Sequence, residues 1–480
     1  MEKLILVFDC GATNVRVVAM NSKGEIAASH SFPNRTVEDP SLPGGRIWDL
    51  SEIWGKLCKA SREVVSKINT DCIAGVTVTT FGVDGAFLDA RGDQLYPIIS
   101  WQCERTNAIM EGIDKYLPLS RLYELSGVYP YNFNTINKMI WFKENRPDVL
   151  DKASDFLFMP SLLINLLSGE RVNDVTMLGT SMLGDIHNGD YSPEILDSIG
   201  ISADLFPKTG NGGEIVGKTT SSAHEATGIP VGIPVCLSGH DTQYAVFGSG
   251  ASEGQPVLSS GTWEILMCRA NKCTTGEQQL KLGITNEMDA VSGKYNLGLN
   301  WIGSGLLEWV RKNFYGELTV PECYPVMIEE AQMVPPGSNG ITVNPDFYNA
   351  VGGDSGGAIK GLHLNSTRAE IYRACLESLA YKLKDSLDAL EKSGDFEASK
   401  IICVGGGSKN SLWNQIRADV CNVPIELIQQ KETTVLGAAQ FAFASLGYYK
   451  SVEEARAAID YKPQIVNPSE NASYYDQVVR

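Results

Sequence analysis

A carboxylate and an imidazole lie side by side in the stretch SGHDT at residues 238–242. The stretch follows a short apolar run at 234–237 that predicts a strand, and α/β folds place reacting groups at the carboxyl ends of their strands. Asp241 is therefore a candidate general base that takes a proton from a hydroxyl group. His240 is a candidate for orientation or for a hydrogen bond to the ligand. The alternative for Asp241 is a helix N-cap, because residues 244–247 favour a helix.

Two turns of small residues suit the binding of phosphate groups. Residues 9–14 (DCGATN) and 259–262 (SSGT) each join two apolar runs, so each predicts a hairpin turn that offers backbone N–H groups and a Thr hydroxyl. Asp9, at the end of its strand, is placed to hold a phosphate-bound Mg²⁺ through water, and its alternative role is to start an Asx-type turn. The sequence contains no GxxxxGK[ST] loop and no protein-kinase HRD or DFG motif, so phosphate must be held by another device.

A glycine triplet at residues 405–407 follows a predicted strand at 400–404 and precedes a predicted helix at 411–421. Without Cβ atoms, the triplet lets a flat base lie against the backbone, and a plain turn before a helix is the alternative. Phosphoryl transfer from ATP to a hydroxyl group needs positioning, charge neutralisation and a base. The triplet, the two turns and Asp241 together supply these three requirements.

The elements that must position these residues follow an α/β pattern in two halves. The predicted elements of the first half are strands at 4–8, 15–20, 25–31 and 75–80 and a helix at 49–68. Those of the second half are a hairpin at 256–258 and 262–269, a strand at 425–428 and a helix at 432–445. The predicted division is an N-terminal domain with the first phosphate turn at 1–247, a hinge at 248–256, a C-terminal nucleotide-binding domain at 257–446, and a C-terminal helix with a polar tail at 447–480. The two hairpin turns look like one device used twice, which predicts a weak internal duplication with the two halves facing a cleft.

Composition excludes several classes of protein. The 480 residues exceed what one hydrophobic core usually supports, and the formal net charge of −17 argues against a nucleic-acid partner. The first apolar run is too short for a signal peptide, and the sequence contains no stretch of roughly 18 apolar residues, so no membrane partner is expected. The eleven cysteines form no CxxC pair, which favours reduced thiols and a cytoplasmic location.

These motifs together resemble the FGGY family of carbohydrate kinases, in the actin/hexokinase/Hsp70-like ATPase superfamily. Residues 133–145 (FNTINKMIWFKEN) fit the first signature of the family at every constrained position. A second signature runs from Gly357 through Gly361 to 370–377, where Cys375 departs from the small or aliphatic residue usual there. The resemblance covers residues 9 to about 446. It implies a two-domain α/β fold of the ribonuclease H-like type with a cleft between the domains, and ATP and Mg²⁺ as cofactors. It also implies that residues 1–247 form the sugar kinase domain, which contains the sugar site.

The resemblance also assigns roles to individual residues. It implies that Asp241 is the general base and that Asp9 is the Mg²⁺ ligand, through water. The implied ATP-binding residues are Asp9, Gly11, Thr13, Asn14, Ser260, Gly261, Thr262, Glu308, Gly405, Gly406, Gly407, Asn410 and Gly437. The implied sugar-binding residues are Gly82, Asp84, Trp101, Arg105, His240, Asp241 and Asn300. Cys103 replaces the acidic residue of a WxDxR-like site that contains Trp101 and Arg105. Two alternatives stay open, a turn cap for Asp84 and the start of a helix at 301–310 for Asn300.

Within the family, residues 9–16, 79–85 and 260–266 look most like the L-fuculokinases, with the rhamnulokinases next. The resemblance thus implies ATP-dependent phosphorylation of L-fuculose at the C1 hydroxyl to L-fuculose 1-phosphate, in L-fucose catabolism. The first alternative is a kinase for another ketose, such as L-rhamnulose or L-ribulose. The second is a non-catalytic nucleotide switch like actin or Hsp70, against which the two signatures speak. The predicted partners are the sugar and ATP, and the sequence leaves a homodimer open.

Overall fold

The structure, a computed structural model, describes residues 2–347 and 356–478. The chain forms two compact units. The first comprises Met1–Gly250, Asn271–Asn296 and Glu432–Asp460, and the second comprises Ala251–Ala270, Leu297–Lys431 and Tyr461–Arg480. Parts of the predicted domains, at residues 1, 348–355 and 479–480, lie outside the described residues.

The first unit is built on a six-stranded sheet. In spatial order its strands are Ile215–Lys218, Pro234–Cys236, Ile73–Thr80, Leu4–Cys10, Asn14–Asn21 and Ile26–Pro33. Leu4–Cys10 pairs antiparallel with Asn14–Asn21 and parallel with Ile73–Thr80, which in turn pairs parallel with Pro234–Cys236. All seven residues of Leu4–Cys10 are buried, as a continuous apolar run predicts for a central strand covered on both faces. The parallel strands therefore place the residues that follow Cys10, Thr80 and Cys236 at one edge of this sheet.

Helices and small sheets complete the first unit. Its α-helices are Leu50–Val65, Asn107–Glu111, Leu119–Ser126, Thr135–Asn145, Pro147–Leu150, Met159–Ser168, Val175–Gly179, Pro193–Ile199, Ser221–Thr227, Asp241–Gly248, Glu277–Leu282, Thr433–Ser445 and Val452–Ala457. Its remaining strands are Val37–Glu38, Arg46–Trp48, Gly85–Leu88, Ile98–Ile99, Asp155–Phe158, Asn173–Asp174, Gly184–Asp185, Asp190–Tyr191, Thr209–Gly210 and Thr285–Met288. One hydrophobic core lies around the six-stranded sheet, and a second lies around the helix Thr135–Asn145. This helix carries the first family signature, so the signature belongs to the second core.

The second unit repeats the arrangement of the first sheet. In spatial order its strands are Tyr295–Ile302 (from Leu297 on), Trp263–Ala270, Val257–Ser260, Ile401–Val404, Ile425–Leu427 and Gln464–Val466. Val257–Ser260 pairs antiparallel with its hairpin partner Trp263–Ala270 and parallel with Ile401–Val404. The α-helices of this unit are Ser304–Phe314, Val320–Gln332, Arg368–Gly394, Ser411–Cys421 and Ala472–Asp476, and Thr342–Asn344 pairs with Ala358–Lys360. A hairpin with a later parallel strand thus occurs once in each unit, as the predicted duplication requires.

Candidate active site

Asp241 lies at the carboxyl end of the strand Pro234–Cys236, where the helix Asp241–Gly248 begins. It is the first helical residue, and His240 occupies the N-cap position, so the alternative that Asp241 is the N-cap is wrong. Its Oδ1 accepts a hydrogen bond of 2.7 Å from the backbone N–H of Thr242. Burial raises the pKa of Asp241, and the nearby His240 counteracts that rise. The side chain is 31 % exposed, so the carboxylate stays accessible to a ligand.

Two glycines let the helix Asp241–Gly248 pack very closely against the helix Thr433–Ser445. A Cβ atom at Gly437, in the helix Thr433–Ser445, would lie 2.0 Å from the carbonyl oxygen of Tyr244. A Cβ atom at Gly248 would lie 1.9 Å from the carbonyl oxygen of Thr433. Because only glycine permits this approach, the two helices pack backbone to backbone. Gly437, expected at the nucleotide, is buried at this crossing, where it fixes the helix that begins at Asp241.

The ring of His240 lies against Gly82, in the turn that follows the strand Ile73–Thr80. A Cβ atom at Gly82 would lie 2.8 Å from Nε2 of His240, so the residue at this position must be glycine for the ring to keep its place. The backbone N–H of His240 donates to Oγ1 of Thr176 at 2.9 Å. Thr176 in turn donates to the buried carboxylate of Asp174, whose pKa burial raises to about 6. Thr176 therefore holds the backbone of His240, and Gly82 leaves the space that the ring occupies.

Asp9 lies at the end of the strand Leu4–Cys10, where the first predicted phosphate turn begins. Its Oδ2 accepts a hydrogen bond of 2.7 Å from Nε of Arg16, on the partner strand. The N–H of Gly11, which an Asx-type turn would direct at the Asp9 carboxylate, donates to the carbonyl oxygen of Asn14, so the Asx-turn alternative is wrong. Arg16 also pairs with Glu432 at 2.6 Å. Burial raises the pKa of Asp9 to about 6 against the lowering effect of Arg16. A cation next to this carboxylate would stabilise its ionised form.

Two hydrogen bonds hold the backbone of the first turn in place. The N–H of Gly11 donates to the carbonyl oxygen of Asn14 at 2.8 Å, and the Asn34 side chain donates to the carbonyl oxygen of Gly11 at 2.9 Å. Thr13 and Asn14 are exposed at the tip. The turn thus presents a hydroxyl and an amide to solvent on a rigid hairpin, which suits an anion.

Asp84 is completely buried and has three donors. Its carboxylate accepts hydrogen bonds from Nε1 of Trp48 (2.7 Å) and from the backbone N–H of Trp101 (3.0 Å), and it forms an ion pair with Lys138. The turn-cap alternative is therefore wrong. Burial raises the pKa of Asp84 while Lys138 lowers it, and burial lowers the pKa of Lys138 while Asp84 raises it. Asp84 thus orders the backbone at Trp101.

Val83 is the strained residue of this turn. Its φ of 62° lies in the left-handed region, which a β-branched side chain rarely adopts. Its carbonyl oxygen accepts hydrogen bonds from Nζ of Lys138 (2.9 Å) and Oγ1 of Thr135 (2.8 Å), both on the signature helix Thr135–Asn145. Two residues of the first family signature therefore stabilise the turn that contains Gly82 and Asp84 by hydrogen bonds.

Trp101 and Arg105 lie beside this turn in different ways. The ring of Trp101 is half-buried and packs edge-on against Phe133. The guanidinium of Arg105 is 3 % exposed and bonds to Asp39 at 2.7 Å and to the sulfur of Cys103 at 3.0 Å. Asp39 thus supplies the carboxylate that Cys103 lacks, from a position distant in sequence.

The second phosphate turn rests on a buried ion pair within the second unit. The Ser260 hydroxyl is buried, donates to Glu264 at 2.6 Å and accepts from Arg417 at 2.8 Å. Glu264 and Arg417 form a completely buried pair. Gly261 is half-buried and Thr262 is exposed at the tip. The turn therefore offers the Thr262 hydroxyl and its backbone to a ligand, whereas the Ser260 hydroxyl is turned inward.

The glycine triplet packs on the same turn. A Cβ atom at Gly405 would lie 2.5 Å from the carbonyl oxygen of Ser260, and one at Gly407 would lie 2.0 Å from its Oγ, whereas one at Gly406 would meet nothing within 4 Å. Gly406 is thus the member of the triplet with open space beside its backbone. Asn410 caps the helix Ser411–Cys421, since its side chain accepts from the backbone N–H of Trp413 at 3.0 Å.

Two further predicted residues lie in the second unit. Asn300 is an exposed residue of the strand Tyr295–Ile302, so the alternative that it begins a helix is wrong. Glu308, in the helix Ser304–Phe314, accepts two hydrogen bonds of 2.7 Å from Arg311, which hold its pKa below the usual range.

Several residues that contact the predicted site were missed from the sequence. They are Asp39 beside Arg105, Asp174 and Glu287 beside His240, Arg16 beside Asp9, and Arg417 beneath Ser260. The sequence signal for Lys138 is its position within the first family signature, residues 133–145. Asp39 and Asp174 carry no such signal, because each lies 66 residues from the residue it faces, Arg105 and His240. Glu287 carries none because it lies in a separate segment of the first unit.

The donor set fits a magnesium ion that is held mainly by phosphate and water. Among the described residues, no group of three or more His, Cys, Asp or Glu side chains could hold a metal ion alone. Asp9 nevertheless presents a desolvated carboxylate near Asp241 and Glu432, which leaves negative charge that a cation can offset. Mg²⁺ in phosphoryl-transfer sites is often bound through one or two carboxylates together with the substrate phosphates.

The eleven cysteines are all free, as the sequence predicts, and nine of them are buried. No helix in the described part of the chain combines the length and the hydropathy that crossing a bilayer requires.

Comparisons with known proteins give the family. The models of the N-terminal and C-terminal domains of the FGGY family of carbohydrate kinases match residues 4–248 and 257–446. The chain is 43 % identical to L-fuculokinase from Escherichia coli (strain K12), over 99 % of this chain and 100 % of that protein. It is 27 % identical to rhamnulokinase from Bacteroides thetaiotaomicron, over 96 % and 94 %. The xylulose kinase of Rhodospirillum rubrum has the same fold, with a TM-score of 0.89, 20 % identity and coverage of 99 % and 96 %. The chain therefore belongs to the FGGY family of carbohydrate kinases and is an ATP-dependent sugar kinase.

Proposed function

We propose that this kinase phosphorylates L-fuculose at its C1 hydroxyl with ATP, giving L-fuculose 1-phosphate and ADP. The observation that carries the proposal is the 43 % identity to an L-fuculokinase over nearly the whole of both chains. The identity to the rhamnulokinase is 27 % over a similar length. A kinase for L-rhamnulose or L-ribulose is therefore the weaker reading.

In the proposed reaction, Asp241 takes the proton of the C1 hydroxyl as that oxygen attacks the γ-phosphorus of ATP. The bond between the γ-phosphorus and the β,γ-bridging oxygen breaks, and ADP leaves with that oxygen. General bases of this kind work when the carboxylate is accessible and ionised, and the exposed fraction of Asp241 and the neighbouring His240 favour both conditions. Thr13 and Thr262, each exposed at the tip of its turn, donate to phosphate oxygens.

The sugar-binding role is divided between contact and support. Gly82, Trp101, His240 and Asn300 are proposed to face the sugar. Asp84 and Arg105, whose charged groups are buried and paired, support the sugar site by ordering Trp101 and its surroundings. A site that hydrogen-bonds particular hydroxyls rejects an epimer because its polar groups would lose their partners.

Nucleotide and metal have their own proposed residues. Asp9 holds Mg²⁺ through water, and the ion supplies neutralisation of charge on the phosphates. The backbone of Gly11, Asn14 and Gly261 binds phosphate, while Gly405, Gly406 and Gly407 lie along adenosine. Glu308, Asn410 and Gly437 complete the proposed set, the last two by holding helices in place. A cytoplasmic location suits the eleven free thiols, which stay reduced in that compartment.

L-fuculose is expected to give the highest kcat/KM in a panel of L-fuculose, L-rhamnulose, L-ribulose, D-xylulose and glycerol. The advantage over the best competitor should be at least about tenfold, because each hydroxyl that loses its partner costs on the order of 1–3 kcal/mol. The assay couples ADP formation to NADH oxidation at fixed Mg·ATP. A higher kcat/KM for another member of the panel would reassign the substrate. ADP formation at the same rate without any sugar would instead favour the nucleotide switch.

A further inference from the structure

His240 lies between two carboxylates, those of Asp241 and Glu287. Its Nε2 lies 3.6 Å from Oδ1 of Asp241, and its Nδ1 lies 3.7 Å from Oε2 of Glu287. Nδ1 is buried, and the described part of the chain offers it no hydrogen-bond partner at normal distance. Glu287 is therefore the nearest acceptor for a proton on Nδ1, and a contraction of less than 1 Å would complete that bond.

Glu287 is fixed by its own neighbours in the first unit. It belongs to the strand Thr285–Met288, and its side chain is 10 % exposed. Its Oε2 accepts a hydrogen bond of 2.5 Å from Nε2 of Gln243, and Oε1 lies 3.4 Å from Oγ1 of Thr180. Gln243 in turn accepts from Asn296, which also donates to Asp289. This buried network determines where the Glu287 carboxylate lies, because each of its members is tied to the next.

The charged groups that face His240 have one sign. They are Asp241 on the following helix, Glu287 on its strand, and Asp174 before the helix Val175–Gly179. In the turn at Gly82, the carboxylate of Asp84 is paired with Lys138. Burial alone would lower the pKa of His240, but Glu287, Asp241 and Asp174 together raise it above its ordinary value. An imidazolium is thus the form that the surroundings favour.

We propose that Glu287 is a positioning residue that holds His240 as a doubly protonated imidazolium, with Nδ1–H directed at Glu287 and Nε2–H directed at Asp241 and the sugar. The proposal rests on the proposed function, in which Asp241 is the base next to the sugar hydroxyl. The cation favours the ionised form of Asp241 and offsets charge that develops on the attacking oxygen. If His240 lost its proton, this cation would be lost beside the base, so activity should fall above the pKa of His240.

The test is the exchange E287Q, which keeps the size of the side chain and removes its charge. The glutamine amide can donate to Nδ1, which favours neutral His240 with its remaining proton on Nε2. The pKa of His240, followed by NMR of the five histidines with H240Q for assignment, should fall by about one unit or more. The alkaline limb of the kcat/KM profile for the sugar should move to lower pH by a similar amount. E287D, which keeps the charge, should retain part of the raised pKa.

The matched control is E277Q, the same exchange at an exposed glutamate of the segment Asn271–Asn296 that pairs with Lys281 and takes no part in this network. It should leave the His240 pKa unchanged. An unchanged His240 pKa in E287Q, or a loss of activity by the same factor at every pH, would overturn the proposal and leave Glu287 as a structural residue. The NMR titration uses the protein without sugar, so its outcome does not depend on which sugar is the substrate. A wrong substrate assignment would appear in the kcat/KM values of the ketose panel and would leave the His240 titration unaffected.

Discussion

D241N should lower kcat by roughly 10²–10⁴-fold, the usual contribution of general acid–base catalysis. Asparagine keeps the size of the side chain and can still accept the hydrogen bond from Thr242 N–H, but it cannot take a proton. The helix of Asp241 is fixed by the crossing at Gly248 and Gly437, so its geometry should survive the exchange. Sugar and Mg·ATP affinities, measured by calorimetry, should therefore stay close to those of the wild type.

The matched control for D241N is D9N, since Asp9 is a second carboxylate at the end of a strand in the same sheet. Its loss should weaken nucleotide binding and raise the Mg²⁺ concentration needed for half-maximal rate, with part of the activity recovered at high Mg²⁺. A D241N enzyme that turns over near the wild-type rate, or that fails only because it no longer binds ATP, would remove Asp241 from the role of base.

K138M should reduce the free energy of unfolding by about 3–5 kcal/mol, because it leaves the buried Asp84 carboxylate without its cation. It also removes one of the two donors that hold the strained carbonyl of Val83. Asp84 already has a raised pKa from burial, and without Lys138 that pKa rises further in the folded state. A carboxylate with a raised folded-state pKa is destabilising when ionised, so K138M should regain stability as the pH falls through that value. Denaturant titrations at several pH values measure both effects.

Two further variants separate charge from packing in that experiment. K138M/D84N removes both charges and should recover a large part of the lost stability. K281M breaks the exposed Lys281–Glu277 pair and should leave the free energy of unfolding nearly unchanged. Equal losses in K138M and K138M/D84N would show that the cost comes from packing of the lysine stem, and not from the unpaired carboxylate.

The elements that hold the site could be predicted because local patterns determine them. The helix Ser411–Cys421 has the predicted bounds, and the meander strands Leu4–Cys10, Asn14–Asn21 and Ile26–Pro33 extend the predicted ones by one or two residues at four of their six ends. Asp49 caps its helix through a bond from Glu52 N–H, as expected for an aspartate before an apolar periodic run. Small deviations at the ends are usual, since hydrogen bonds across a sheet decide where a strand stops.

The contacts within the site could not be predicted in the same way. Asp39 and Arg105 are 66 residues apart, and Lys138 and Asp84 are 54 apart, so no helical or strand period links them. Glu287 belongs to the segment Asn271–Asn296, which joins the first unit although it follows residues of the second in sequence. The sequence indicates which residues are candidates for chemistry, whereas the identity of their buried partners depends on tertiary packing that a single sequence does not display.

The most direct test of the proposed activity is identification of the product by NMR. Purified protein, L-fuculose and Mg·ATP should yield ADP and a sugar phosphate in equal amounts, and the phosphorus resonance should couple to the two protons on C1. Phosphorus coupled to protons at another carbon would contradict transfer to the C1 hydroxyl. Stoichiometric ADP without any phosphorylated L-fuculose would contradict the proposed function as a whole.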